Sequence, residues 1–491
     1  RVSLLARGEF GPDRLLALLR VGVGGAEHTY FLPLAAAWED EDGERVSSLM
    51  PHALAKIRRR YRVGILFDAL SDEGFCREVV AAMAGGRELE MGEGRVRFYA
   101  TGALQELLGE EPVEELAVRR ASVEQSNTSV ILGERLVLKA YRRLQPGVNP
   151  ELEIGRYLTE VRRFPNTPPL AGAVEYEDPE EGTVSLALLQ GFVPSQGDGW
   201  SYVLGYLDRY LERRLISSWS PEEEPAAEPA AREGQEAEEG FFMELMRTLG
   251  VRTGGLHAAL AAPTDDPSFA PEEAPPEEVS RWVEEVLDDL RLTLSLLERR
   301  RPGLPEEVRP DVERLLRMEA LAFDRLESVA ALGIRTVKTR HHGDYHLGQV
   351  LVAGNDFQII DFEGEPARPL EERRRKHSPL RDVAGMLRSF DYAAQTALMN
   401  LGADRAVGED PEPVVRLWER EVREAFLEGY AEGVRGAGVL PEGGEQAALV
   451  ELFALEKALY EIRYELDNRP DWVGIPIRGI LDLLSREEES P

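Results

Sequence analysis

The sequence predicts an α+β chain, strand-rich to about residue 194 and mainly helical from there on. Three observations predict it. Apolar runs of strand character come early: His28 to Trp38, Val63 to Leu70, Val96 to Tyr99 and Val184 to Leu189, bounded by Gly, Pro and polar turns. Later stretches, Phe241 to His257, 277–300, 305–331 and Glu451 to Asn468, carry the helical period instead. One hairpin signal interrupts that helical part, where Val350-Leu351-Val352 and Phe357-Gln358-Ile359-Ile360 flank Gly354-Asn355-Asp356.

Polar residues on either side of the hairpin carry the chemistry. His341-His342-Gly343-Asp344-Tyr345-His346-Leu347-Gly348-Gln349 leads into it, and Asp361-Phe362-Glu363 follows it. This frame is expected to bring Asp344, Gln349 and Asp361 to one edge of a cleft. Phosphoryl transfer needs one carboxylate to orient and deprotonate the attacking hydroxyl. It needs further oxygen ligands to hold the magnesium that neutralises the triphosphate. In protein kinases the catalytic Asp stands five positions before a metal-binding Asn, and a second Asp follows the hairpin. Here Asp344 stands five before Gln349, and Asp361 opens Asp-Phe-Glu. The sequence therefore predicts a bilobal protein-kinase-like fold, with Asp344 as base and Gln349 and Asp361 as magnesium ligands. His342 and Glu363, beside them, are candidates for binding the acceptor.

The stretch HHGDYHLGQVL, continued by QIIDFEGEPARPLEERRRKHSPLRDVAGMLRSFDYA, resembles the bacterial maltokinases, which are similar to aminoglycoside phosphotransferases. The resemblance runs, with gaps, from about residue 30 to residue 480. It implies ATP- and magnesium-dependent phosphorylation of the anomeric hydroxyl of maltose to maltose 1-phosphate. That product feeds α-glucan synthesis from trehalose and maltose. Fusion to, or association with, a trehalose synthase is known among relatives. The alternative is a kinase-like phosphotransferase with another small acceptor: a different sugar, an aminoglycoside or a choline-like amine.

At 491 residues the chain is long enough for two or three domains, and 43% hydrophobic content suffices for packed cores. A net charge of -32 argues against nucleic acid or a membrane surface as partner, because it repels phosphate polymers. It repels ATP too, so a nucleotide site needs local positive charge. The single Cys76 excludes an internal disulfide framework and a cysteine-built zinc site. No apolar run reaches the length of a membrane span and no signal peptide is visible, so a cytoplasmic location is expected. The chain opens at Arg1 in mid-pattern, as expected of a fragment or the C-terminal part of a fusion.

In chain order, residues 1–105 are expected to form an N-terminal α+β cap with Phe75 to Met83 as a helix. Its start is expected to be truncated, because the Arg-Trp-Phe opening usual in maltokinases is missing. Residues 106–194 are expected to be the kinase N-lobe. Val118 to Leu138 reads as two strands around the turn Glu124 to Ser129. Taken alone this is a polar hairpin turn. The Gln-Ser-Asn-Thr-Ser shared with maltokinases assigns Ser126, Asn127 and Thr128 to the nucleotide, hydroxyls standing in for phosphate-cradling glycines. Lys139, leaving its strand, is placed to reach the α- and β-phosphates. Asn149-Pro150 starts a helix, Asn at the N-cap and Pro at the first position. Its apolar face is Ile154, Tyr157, Leu158 and Val161. Glu153 is expected to pair with Lys139, with Glu151 and Glu160 as rivals. The hinge follows, where backbone groups of Gln190 and Phe192 are expected to hold the adenine.

Residues 195–491 are expected to be a helical C-lobe. Within it, 219–240 is rich in Pro, Ala and Glu and reads as an acidic flexible insert. His257 reads as a helix-packing residue. In so acidic a chain, Arg373-Arg374-Arg375-Lys376 reads as a solvated loop rather than a nucleic-acid patch. Asp382 is placed to brace the catalytic loop, and Asp391 lies further along the same helix, toward the acceptor. Phe453, Lys457, Tyr460 and Tyr464 share one helical face. A lysine among aromatics suits a sugar, whose C–H faces stack while its hydroxyls take polar contacts. The resemblance of LEKALYEIRYE, 455–465, to maltokinases implies that Lys457, Tyr460 and Tyr464 line the maltose pocket.

Overall fold

The computed structural model describes residues 1–121, 127–180, 182–219, 229–366, 368–402, 410–441 and 445–485. Two compact units result, one of residues 1–194 with 361–374, the other of 195–360 with 375–491. The predicted class is what the structure has: α+β, sheets first and helices after.

The first unit holds two antiparallel sheets. One runs in the order Val2–Glu9, Arg14–Val23, Ala26–Trp38, Arg62–Asp68, Ala53–Arg59, with Arg143–Leu144 added on Ala26–Trp38. The other runs Glu88–Met91, Gly94–Ala100, Leu170–Asp178, Gly182–Gly191, Leu136–Tyr141, Asn127–Leu132, Val118–Arg120. The expected boundary near residue 105 does not separate them. Gly94–Ala100 pairs with Leu170–Asp178 in the sheet that carries Lys139. One core, including Phe10, Phe67, Phe75, Phe98, Leu138 and Leu186, runs through the unit.

Several strands were not legible, Val2–Glu9, Arg14–Val23, Ala53–Arg59, Glu88–Met91 and Leu170–Asp178 among them. Arg14–Val23 is Leu-rich and lacks clean alternation, but it pairs along its whole length with Ala26–Trp38, and that tertiary pairing decides its state. Val2–Glu9 then pairs with it. The helix Pro150–Arg156 starts as expected, Asn149 accepting from the Glu151 N–H and Pro150 at the first position. It then widens into π-type turns over Tyr157–Arg162. Widening rotates the side chains, so Val161, expected on the apolar face, is 57% exposed while Ile154, Tyr157 and Leu158 are buried.

Among its described residues the second unit is helical apart from two small strand pairs. Its long helices are Gly199–Trp219, Pro229–Ala261, Pro276–Arg300, Leu380–Gly402, Glu412–Gly433 and Gln446–Asn468. The acidic insert is shorter than expected. Residues 220–228 lie outside the described residues, but from Pro229 the chain is already helix. Ala, Glu, Gln and Arg are good helix formers, and the packed turns from Phe242 onward carry the helix back through them. The predicted helix at 305–331 divides at Met318 into Arg309–Arg317 and Glu319–Ala331. The predicted hairpin is present, Val350 opposite Ile359, turning at Gly354 with φ of 65°. Among the described residues no helix is long and apolar enough to cross a membrane.

Helices Pro229–Ala261 and Glu412–Gly433 meet backbone to backbone. A Cβ on Gly429 would fall on the Arg247 carbonyl, and one on Gly433 on that of Val251. Gly429→Val should therefore cost more than about 3 kcal/mol in urea unfolding. Gly303→Ala, whose Cβ would meet nothing within 4 Å, should stay within about 0.5 kcal/mol.

Candidate active site

In the first unit Lys139 is the centre of a charge cluster. Its side chain is 7% exposed, and the ammonium lies 2.9 Å from Glu151 Oε2, 2.6 Å from Asp361 Oδ1 and 2.7 Å from Glu363 Oε1. Tyr141 donates its hydroxyl to Glu151 at 2.8 Å, and the Asn127 side-chain amide donates to Glu363 at 2.8 Å. One oxygen from each carboxylate lies within 4.8 Å of the other two. Asp361 holds φ at 65°, a left-handed conformation rare for a residue with a side chain. Such strain collects at functional positions. Burial alone would lower the Lys139 pKa. The three carboxylates outweigh it and hold the group well above its usual range, so it stays charged. Burial pushes the Glu151 carboxyl up to about 8, against the pull of Lys139. The three carboxylates outnumber the one ammonium, a donor set that fits a hard divalent cation.

Glu151, not Glu153, is the partner of Lys139. Two residues apart on a helix is about 200° of rotation, so the two face opposite ways. Glu153 instead pairs with Arg374, at 2.8 and 3.1 Å. Arg373 donates to the Glu363 carbonyl and to Gln145, so these two members of the basic run are used within the unit rather than solvated. Ser126 lies outside the described residues. Thr128 accepts from Arg142 at 2.8 Å. Gln190 sits in the ladder opposite Val137, and the Phe192 N–H donates to the Arg135 carbonyl at 2.7 Å.

In the second unit the loop 341–349 is built around Asp382. Its carboxylate accepts from the His342 N–H at 2.7 Å and the Gly343 N–H at 3.0 Å. His257 Nε2 lies 3.1 Å from the same group. That contact requires the proton on Nε2, which leaves His257 Nδ1 to accept from the Tyr430 hydroxyl at 3.1 Å. Burial alone would raise the Asp382 pKa. The His257 hydrogen bond and the nearby imidazoles overcome it and hold the group below its usual range. His342, proposed for the acceptor, is 1% exposed. Its ring bonds the Ile360 carbonyl at 2.8 Å and accepts from the Asp344 N–H, so it shapes the loop instead. Gln349 closes the turn Leu347–Gln349 at the mouth of the hairpin.

Asp344 is partly exposed, with Lys457 Nζ 3.0 Å from Oδ1 and His346 Nε2 4.0 Å from Oδ2. Lys457 also lies over the Tyr460 ring at 5.0 Å, and Tyr460 stacks near Tyr464 with centroids 6.4 Å apart. The three residues expected to form one face therefore do. Asp391 does not open to it. It is 9% exposed, held between Arg388 at 2.9 Å and Arg423 at 2.8 Å. Arg388 in turn reaches Glu461 at 2.8 Å. Sequence reasoning missed Arg388 and Glu461. The only local signals are spacings, Arg388 three before Asp391 and Glu461 four after Lys457.

No protein-family profile matches the chain. The chain is similar to a glucosamine kinase of Streptacidiphilus jiangxiensis, 26% identical over 477 residues, 96% of this chain and 92% of that one. It is also 25% identical over 382 residues to a glucosamine kinase of Mycolicibacterium smegmatis, 78% of this chain and 81% of the relative. Among solved structures, a glucosamine kinase in complex with glucosamine, ADP and inorganic phosphate superposes with a TM-score of 0.64. That match is at 22% identity over 99% of this chain and 94% of the other. The chain thus has the fold of that kinase structure.

One pH effect follows from the loop. Burial lowers the His341 imidazole from 6.5 to about 4. As pH falls the unfolded chain takes up this proton first, so the contribution is complete above about 6.5 and is lost toward 4. Urea unfolding between pH 7 and pH 4.5 should show a loss of up to roughly 3 kcal/mol from this group, and His341→Leu should flatten the slope in that window.

Proposed function

We propose that the chain is an ATP-dependent sugar kinase that phosphorylates the anomeric hydroxyl of maltose. The observation that carries the reading is Lys457 at 3.0 Å from the Asp344 carboxylate, on a helix face shared with Tyr460 and Tyr464. Asp344 is the base: it orients the hydroxyl and takes its proton as the oxygen attacks the γ-phosphorus of ATP, whose bond to the β,γ-bridging oxygen breaks to release ADP. Lys457 fixes the rotamer of that carboxylate and has further N–H donors for a sugar oxygen. Tyr460 and Tyr464 offer flat faces to the C–H surface of the sugar. Lys139 binds the nucleotide phosphates and is held in place by Glu151. Asp361 and Gln349 are the proposed magnesium ligands, with Glu363 beside Asp361. A divalent cation bound there would neutralise charge on the triphosphate.

Glucosamine is the second reading, because the curated relatives are glucosamine kinases. A protonated amino sugar needs a carboxylate for its ammonium group. On the helix that carries Lys457, the carboxylates near the acceptor face already have cations. Glu456 pairs with Arg381, Glu461 with Arg388 and Glu465 with Arg469. Asp344 has Lys457 itself. This favours a neutral sugar, and the resemblance of residues 455–465 to maltokinases favours maltose.

Steady-state assays with magnesium and ATP should give a kcat/KM for maltose at least about tenfold above that for glucosamine. The reverse order would remove the acceptor assignment and leave the kinase. Asp344→Asn should lower kcat about a thousandfold while ATP affinity stays within about twofold. Glu151→Gln should raise the KM for ATP several times more than Glu153→Gln does. Equal effects of the two substitutions would contradict the pairing of Lys139.

A further inference from the structure

The second unit contains a cavity of about 290 Å³ walled by the helices Leu380–Gly402, Glu412–Gly433 and Gln446–Asn468. Its floor is apolar and buried, with Val383, Leu387 and Leu483, and its mouth is exposed at Leu427 and Ala447. The volume is at the lower end for small-molecule sites. Two arginines line it. Arg325 is met by Glu451 at 2.6 Å and by the Leu483 carbonyl. Arg423 donates one N–H to Asp391 at 2.8 Å, and a guanidinium has five to give.

Two chains of polar contacts lead from this wall to the groups around Asp344. Tyr430, which lines the cavity, donates to His257, and His257 donates to Asp382, which holds the His342 and Gly343 N–H groups. Arg423 holds Asp391, Asp391 holds Arg388, and Arg388, 1% exposed, holds Glu461 one helical turn from Lys457. Buried ions of this kind seldom stabilise a fold better than apolar packing does. A relay that begins at a cavity and ends beside Lys457 has a use if the cavity is occupied.

We propose that this cavity binds a small amphipathic carboxylate, an apolar chain with one anionic end, and that its anionic end draws Arg423 from Asp391 and so changes phosphotransfer. The apolar walls take the chain and Arg423 takes the carboxylate in a charge-assisted, two-pronged bond. Loss of the Arg423 contact leaves Asp391 to Arg388, draws Arg388 from Glu461 and so changes the charge one helical turn from Lys457. The kinetic part rests on the phosphotransferase reading, and the binding part does not.

The test is calorimetric titration of octanoate, with octanol as the neutral counterpart, into the full chain and into Arg423→Gln and Ala447→Trp. Ala447 is exposed at the mouth, so Ala447→Trp blocks entry without disturbing the core. Saturable one-to-one binding of octanoate is expected, at least about tenfold weaker for octanol and for both variants. Saturating octanoate should change the KM for the sugar by about fivefold or more in the unaltered chain and leave it unchanged in Ala447→Trp. Absence of saturable binding, or equal binding of octanol and octanoate, would overturn the site or its ligand class. Binding without any change in KM or kcat would overturn the coupling. Heat of binding with no turnover on any acceptor would instead sink the phosphotransferase reading and leave the site standing.

Discussion

The carboxylate of Asp382 is taken out of water and kept ionised, and the loop that carries Asp344 is shaped by how it is met. Its partners are two backbone N–H groups of that loop and one imidazole. Removing any of them would leave a buried charge short of donors, at a cost of several kcal/mol. The loop is therefore pinned from beneath, Gly343 adopting φ of 87° to present its N–H. His257, which by itself looks like a packing residue, becomes the second support because its far nitrogen is fixed by Tyr430.

The same constraint organises the first unit, with the sign reversed. There a buried ammonium is surrounded by acids in excess. On the proposed reading Lys139 is the ammonium that meets the nucleotide phosphates, and the surplus of carboxylates would take a divalent cation. Each unit thus contains its own, separately stabilised set of polar groups.

What was legible in the sequence was what is local. The hairpin, its Gly-Asn-Asp turn, the five-residue step from Asp344 to Gln349 and the Asn149-Pro150 helix start depend on neighbours in the chain. The face of Lys457, Tyr460 and Tyr464 follows from helical period alone. The misses depend on packing between distant segments. The choice of Glu151 over Glu153 needs the rotation of the helix against the sheet. The inward turn of His342 needs a partner 18 residues away, and the burial of Asp391 needs Arg423, 32 residues away. Strand Arg14–Val23 is a case where tertiary pairing overrode the sequence pattern.

The acceptor is where fold and chemistry part company: the fold is that of a solved glucosamine kinase, while the maltose proposal rests on the paired carboxylates near Lys457 and on the resemblance of residues 455–465 to maltokinases. The direct measurement is phosphorus NMR, with proton correlation, on the product formed from ATP, magnesium and maltose. The account predicts one phosphate ester coupled to the anomeric proton of the reducing glucose, with maltose otherwise intact. A phosphate on any other carbon, or no sugar phosphate at all while glucosamine is phosphorylated, would contradict it.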